Sequence, residues 1–457
     1  MTDGAAFPPG PGPAPHPGPA PHPEAVPARQ DHDDLVREFF DAATAADEEA
    51  AVALVHRALE AGLPPERVLL DVIAPAQARV GEEWAAARLS VAREHAASAV
   101  SDRAIAALSV HPAARAAPRR GRVTMACVDG EWHALPARLV AETLRLRGWR
   151  VDFLGAHVPP QHLVQYLHAT GPDAVALSCS IPTRLPAAHA AITACRAGGA
   201  RAGGGPGFGA DGRYARLLGA DAWAASATDA ADRLERDWPP PVRPADGKAG
   251  HLAGREYVRV AEARSRLVAE ALEALREELP GTRSCTSRQW ESTAEDLAHI
   301  VDFLAASLYV DDERLFTDFV AWTAAVLSAR GLPTASLAAG LRLLEGLLRG
   351  LPRARRTVGA GLAAVGGAAD ALRGTGPCPA PRKGLLAAVC GRCLTEWCRR
   401  ALPSARTGPG RSPGRRRSGP IRPRRCPSGR RGRGRGSAFS EPAQDRIDSP
   451  MEANAAM

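Results

Sequence analysis

The 457-residue sequence has no apolar run of about 18 residues, so no membrane-spanning helix is expected. Its start lacks the charged-then-apolar order of a secretory leader, which points to the cytoplasm. Nine cysteines are scattered without the spacing of a disulfide framework, and that also suits a reducing compartment. Cys390-Gly-Arg-Cys393 with Cys398 is half a zinc pattern, and no second cysteine or histidine pair completes it. No phosphate loop, nucleophile–base pair adjacent in sequence or complete metalloprotease motif is present. A general basic surface is missing too. The net charge is +8, but residues 411–436 hold eleven arginines and no acid, leaving the remainder about three units negative.

What is present falls into five stretches, and the length allows two or three folded domains. Residues 1–30 are rich in Pro, Ala and Gly and are expected to be disordered. Residues 31–112 carry four apolar stripes at helical spacing: Leu35, Phe39 and Phe40; Val52, Leu54, Val55 and Leu59; Val68, Leu69, Val72, Ile73 and Ala76; and Val91 to Leu108. Their short joins predict a four-helix bundle. Residues 120–238 alternate apolar strands (122–128, 150–154, 173–178, near 199–203, 222–225) with helical stretches, which predicts a flavodoxin-like, doubly wound parallel sheet. After a Pro-rich linker, residues 254–372 are helical again, with stripes at 257–279, 292–308, 314–329 and 335–350. Trp290, Phe303, Phe316, Phe319 and Trp322 recur there at helical spacing and read as packing. Residues 373–457 turn Arg-, Pro- and Gly-rich. Gly429-Arg-Arg-Gly-Arg-Gly-Arg-Gly436 resembles RNA-binding tails, and a shifted frame in GC-rich DNA would give the same bias.

The chemistry gathers after the first strand, in Val128-Asp129-Gly130-Glu131-Trp132-His133-Ala134-Leu135-Pro136. A histidine at the carboxyl end of a parallel strand reaches a ligand lying over the sheet edge. A carboxylate two residues earlier is placed to accept the other ring N–H and fix the tautomer. Ser178-Cys179-Ser180 closes the third strand, and Gly203-Gly204-Gly205 follows near the fourth. These glycines do not follow the first strand, which disfavours a dinucleotide site.

This order resembles the cobalamin-binding domain of methionine synthases, corrinoid methyl carriers and cobalamin photoreceptors: Asp/Glu-x-His-x-x-Gly, then Ser-x-Leu/Thr, then Gly-Gly. Pro136 stands where that pattern has Gly. The resemblance implies cobalamin, as adenosyl- or methylcobalamin, with His133 as the lower axial ligand of cobalt and Glu131 behind it. It implies that Ser178 and Ser180 line a channel for the nucleotide tail, and that Gly203, Gly204 and Gly205 let backbone approach the tail's base. A second stretch, Val80-Gly81-Glu82-Glu83-Trp84 through Val91-Ala92-Arg93-Glu94-His95, is similar to the helical cap that precedes such domains. It implies Trp84 over the upper corrin face, with Glu94 and His95 nearby. The photoreceptor regulators have a His directly after this Trp, where this sequence has Ala85.

Three readings follow: a cobalamin-binding sensor or regulator with a protein partner or a homo-oligomeric state; a corrinoid methyl carrier of a methyltransferase system; and a cofactor-free scaffold. A free-standing enzyme is not expected, because no substrate barrel accompanies the domain. Direct DNA binding is not expected either, since the stretch before the cap is read as unstructured.

Overall fold

The computed structural model describes residues 29–197, 202–204, 206–236, 255–278, 286–332 and 334–373, all within one compact unit, Met1–Ser404. Gly205, the expectations for most of the Pro-rich start, and those for the Arg-rich tail with its cysteines lie outside the described residues.

The first helices are Arg29–Thr44 and Glu48–Glu60. A continuous helical run over 65–85 follows, interrupted by a π-helical turn at Val68–Ile73, and Val91–Val110 completes the set. Asp47 and Ser90 start two of these helices, their side chains accepting backbone N–H groups of Ala50 and Arg93 that have no partner inside the helix. Leu54, Leu69, Ile73, Ile105 and Leu108 interlock in a core belonging to the cap alone. Each contributes on the order of 2 kcal/mol by leaving water.

The sheet has five parallel strands in the order β2-β1-β3-β4-β5, the flavodoxin-like arrangement. They are β1 Arg122–Cys127, β2 Arg150–Gly155, β3 Ala174–Ser178, β4 Ala202–Gly204 and β5 Ala222–Trp223. The interior strand β1 is buried on both faces from Val123 to Cys127, Thr124 included. Val123, Met125 and Cys127 pack against Ala137, Ala141 and Leu144 of the Ala134–Leu146 helix. Ala126 and Val128 turn the other way, toward the layer of helices Pro160–Thr170 and Leu185–Ala197. Chain order reverses between β1 and β3, so the loops at their carboxyl ends border a crevice.

The last region holds six described helices where its stripes suggest four. Glu256–Glu262 and Arg264–Glu278 share the first stripe, then come Ser287–Val310, Glu313–Ala329 and Ala335–Leu347, and Pro352–Arg373 is added. Small residues dominate that last helix, so its face carries little periodic signal; Gly361 lets it approach the Phe316 ring closely. This region does not close a core of its own. Phe303, Phe316 and Phe319 belong to the same apolar cluster as Leu177, Leu185 and Ile192 of the sheet domain. Among the described residues, no helix is long and apolar enough to cross a membrane.

Candidate functional site

Cys127 and Ser178 are register partners at the ends of β1 and β3, so the loops that follow emerge side by side. Glu131 joins them. Its side chain is fully buried, and both of its oxygens are used. Oε1 accepts the His133 backbone N–H at 2.9 Å and lies 2.5 Å from His133 Nδ1. Oε2 accepts the backbone N–H groups of Ser180 at 2.6 Å and Ile181 at 3.1 Å. Burial pushes this carboxyl up, but the hydrogen bonds from His133 and Ser180 outweigh it and hold it below the ordinary value. A carboxylate only accepts, so the Nδ1 contact requires Nδ1–H and leaves Nε2 as the ring's second nitrogen. The His133 side chain is 38% exposed. Its ring is thus oriented from its Nδ1 end, and the side chain stays partly exposed.

His133 also precedes the first residue of the Ala134–Leu146 helix. Pro136 falls in the first turn, where backbone N–H groups have no intrahelical acceptor, so the ring is accommodated without a lost hydrogen bond. Gly130 has φ +74°, and a Cβ there would lie 3.0 Å from the Arg184 guanidinium, which covers this turn. At Gly207 a Cβ would stand 1.9 Å from the Cys179 carbonyl, which accepts the Gly207 N–H. The loop after β4 therefore presses directly on the loop after β3. Gly203 and Gly204 lie in β4, where Gly203 is the register partner of Ala176 and Ala222 and Gly204 that of Trp223. Buried Ser178 closes β3, while Ser180 is half-buried and turns its N–H to Glu131.

Two thiols border the carboxylate. Burial first, then the Glu131 charge, push Cys127 up to about 12, and Cys179 is raised well above the ordinary thiol for the same reasons. The remaining cap positions are less concentrated. Glu94 Oε2 lies 2.5 Å from His95 Nδ1, and the His95 side chain is 64% exposed. Glu94 also accepts from Ser98, which with Gln77 and Ser101 forms a hydrogen-bonded track between two cap helices. Trp84 lies in the cap core at 5% exposure and faces Trp322 and Arg330 of the last region.

Sequence reasoning set His157 aside as a surface residue and gave Trp132 and Arg184 no role. His157 accepts the Gly130 N–H on Nδ1 at 2.8 Å, and its backbone N–H donates to the Glu131 carbonyl. Trp132 is 68% exposed and stacks on that imidazole, ring centroids 4.9 Å apart. His157 comes from the β2 loop, and only strand pairing brings it to the β1 loop. Trp132, flanked by the two motif residues, was the one visible signal.

The anchored imidazole thus sits at the carboxyl end of β1, in a parallel sheet domain that follows a helical cap. Residues 121–235 match the domain family described as "B12 binding domain", and residues 35–109 match a second family of that description. The chain is 35% identical over 147 residues to the HTH-type transcriptional repressor CarH of Myxococcus xanthus, covering 32% of this chain and 48% of that protein. It is 26% identical over 211 residues to trimethylamine corrinoid protein 2 of Methanosarcina acetivorans, covering 44% and 96%. The structure of the Methanosarcina barkeri monomethylamine corrinoid protein aligns at 19% identity and TM-score 0.40, over 44% of this chain and 97% of that one. The chain spans about half of the CarH length and 35% of that of the related repressor CarA. Cobalamin is the cofactor that these matches support. The residues present suit it: an imidazole held at one ring nitrogen by Glu131 is a good cobalt ligand through the other.

Proposed function

We propose that this chain is a cobalamin-dependent regulatory protein that holds the corrinoid through His133, with the cofactor's own base displaced, between the cap and the sheet. The observation that carries this reading is the Glu131 carboxylate, which ties the imidazole to both loops of the crevice and leaves Nε2 to the ligand. When bound, cobalamin would supply a cobalt centre for ligand exchange, and His133 would be the nitrogen donor that holds it. The chain's own part is to fix the ring, keep Nδ1–H on Glu131 and shield the crevice from water. Gly203 and Gly204 give room for the tail's base, Ser178 and Ser180 border its path, and Glu94 and His95 stand at the cap's polar edge. Residues 31–112, 120–238 and 254–372 act as cap, cofactor domain and output module, in the cytoplasm, through a protein partner or a second copy.

A second reading, a methyl carrier, is favoured by one comparison: a complete corrinoid protein aligns within this chain over 96% of its length. The output module favours regulation, because it adds about a hundred ordered residues that a minimal carrier has no use for. Absorption spectra of the protein loaded with methyl- and adenosylcobalamin test the site, with His133→Ala as control. The expected result is a base-off, histidine-bound spectrum lost in the variant; identical base-on spectra in both would defeat it. Rapid methyl transfer with purified methyltransferases would decide for the carrier.

A further inference from the structure

Trp84 ends the Ala74–Ala85 helix, and part of its cover comes from outside the cap. The Trp322 ring lies 6.3 Å from it, centroid to centroid. The Arg330 guanidinium stands 5.0 Å over the Trp84 ring and donates to the carbonyls of Trp84 at 3.0 Å and Ala85 at 3.2 Å. Those carbonyls are at the negative end of their helix, where a cation is favoured. Arg330 is half-buried, and burial pulls its guanidinium below the ordinary value, so these acceptors and the indole face offset a real desolvation cost.

The region supplying Trp322 and Arg330 is itself fastened to the sheet domain. Tyr214 Oη donates to Asp312 at 2.9 Å, Tyr309 Oη lies 2.5 Å from His189 Nδ1, and the Ser287–Val310 helix packs on the turn Pro182–Arg184 that follows Ser180. The cap, by contrast, keeps a core of its own. It meets the sheet domain chiefly through Leu135, Leu139 and Leu146 and the Arg147–Glu66 pair. The cap therefore has the smaller interface with the sheet domain, and Trp84 is covered by the region that shares the sheet's core.

We propose that Trp322 and Arg330 are an intramolecular latch on the cap tryptophan, and that seating a corrinoid in the crevice releases it. The latch rests on the cofactor site described under the proposed function. It makes the last region both a brace in the empty protein and the element that registers loading. A cofactor that binds only the released state binds with its affinity reduced by the fraction released, so loosening the latch tightens apparent binding.

The full chain, titrated with hydroxocobalamin in the dark, tests this against Arg330→Met, which keeps the apolar stem and removes the donors. The apparent Kd of the variant is expected to fall on the order of tenfold, with an unchanged bound spectrum. In the wild-type chain, hydrogen exchange of residues 74–85 and 313–332 is expected to speed up on loading. Uptake by Arg330→Met alone, with none by the wild type, would support the latch most strongly. Equal or weaker binding by the variant would overturn it while leaving the cofactor site intact. Uptake by neither protein would remove the site and the latch together. Should Arg330→Met fail to fold, the wild-type exchange decides: greater protection, or none lost, on loading overturns the proposal.

Discussion

The two helical regions flanking the sheet are bonded to it in different ways. The cap is a self-contained core docked on one helix, whereas the carboxyl-terminal helices share one apolar cluster with the sheet's opposite face. A piece with its own core can shift as a body at the cost of a small interface; a piece that shares a core moves only by breaking it. Position in the chain therefore gave no guide to packing: the last helices share the sheet's core and the first ones keep a core of their own.

The strongest way to break that contrast is Phe319→Ala. Phe319 is fully buried and stacks on Phe303, so the variant is expected to lose about 3–5 kcal/mol. Hydrogen exchange should then rise in β3 and Leu185–Ala197 together with Glu313–Ala329, while the cap keeps its protection. Full protection of β3 beside a loosened Glu313–Ala329 would show that the core is not shared.

A smaller effect is expected at the cap's other contact. Arg147 reaches Glu66 in the cap and Asp232 beside it, and these carboxylates hold its guanidinium above the ordinary value. Arg147→Met should cost on the order of 1 kcal/mol, less in high salt, and raise exchange in the cap without touching the sheet. Equal loosening of both would argue against a separable cap.

The smallest effect concerns a strained spot in the framework. Asp296 is buried, and neither of its carboxyl oxygens has a hydrogen-bond partner among the described residues. Burial, then the neighbouring Glu295, push it well above the ordinary carboxylic acid. The folded form keeps its proton after the unfolded chain has lost it, so stability is full below the ordinary carboxylate pKa and declines as pH rises toward the raised one. Asp296→Asn should remove that decline, stabilising the chain at pH 8 and hardly at all at pH 4. Urea melts at the two values check it; a gain that does not grow with pH would contradict the account.

Much of this organisation was legible in the residues. The apolar run from Arg122 corresponds to β1, the stripes from Leu35 to Leu108 correspond to the cap helices, and Glu131 two residues before His133 signalled an anchored imidazole. Other parts had no local signature. His157 reaches the ligand loop only because β2 pairs with β1. The helix Pro352–Arg373 is too rich in Ala and Gly to show a stripe. The aromatics from Phe303 to Trp322 read as one core, yet Trp322 turns out to face Trp84, more than two hundred residues away.

By itself, the sequence determined which stretches become helix or strand, and which loop carries the imidazole with its carboxylate. Those features depend on periodicity and on groups two residues apart, so they are written locally. Only the tertiary structure decided that the last helices share the sheet's core, that Arg330 closes on the end of a cap helix, and that one buried carboxylate ties two loops together. Such contacts are set by which apolar faces find each other across the whole chain, and no local window contains that information.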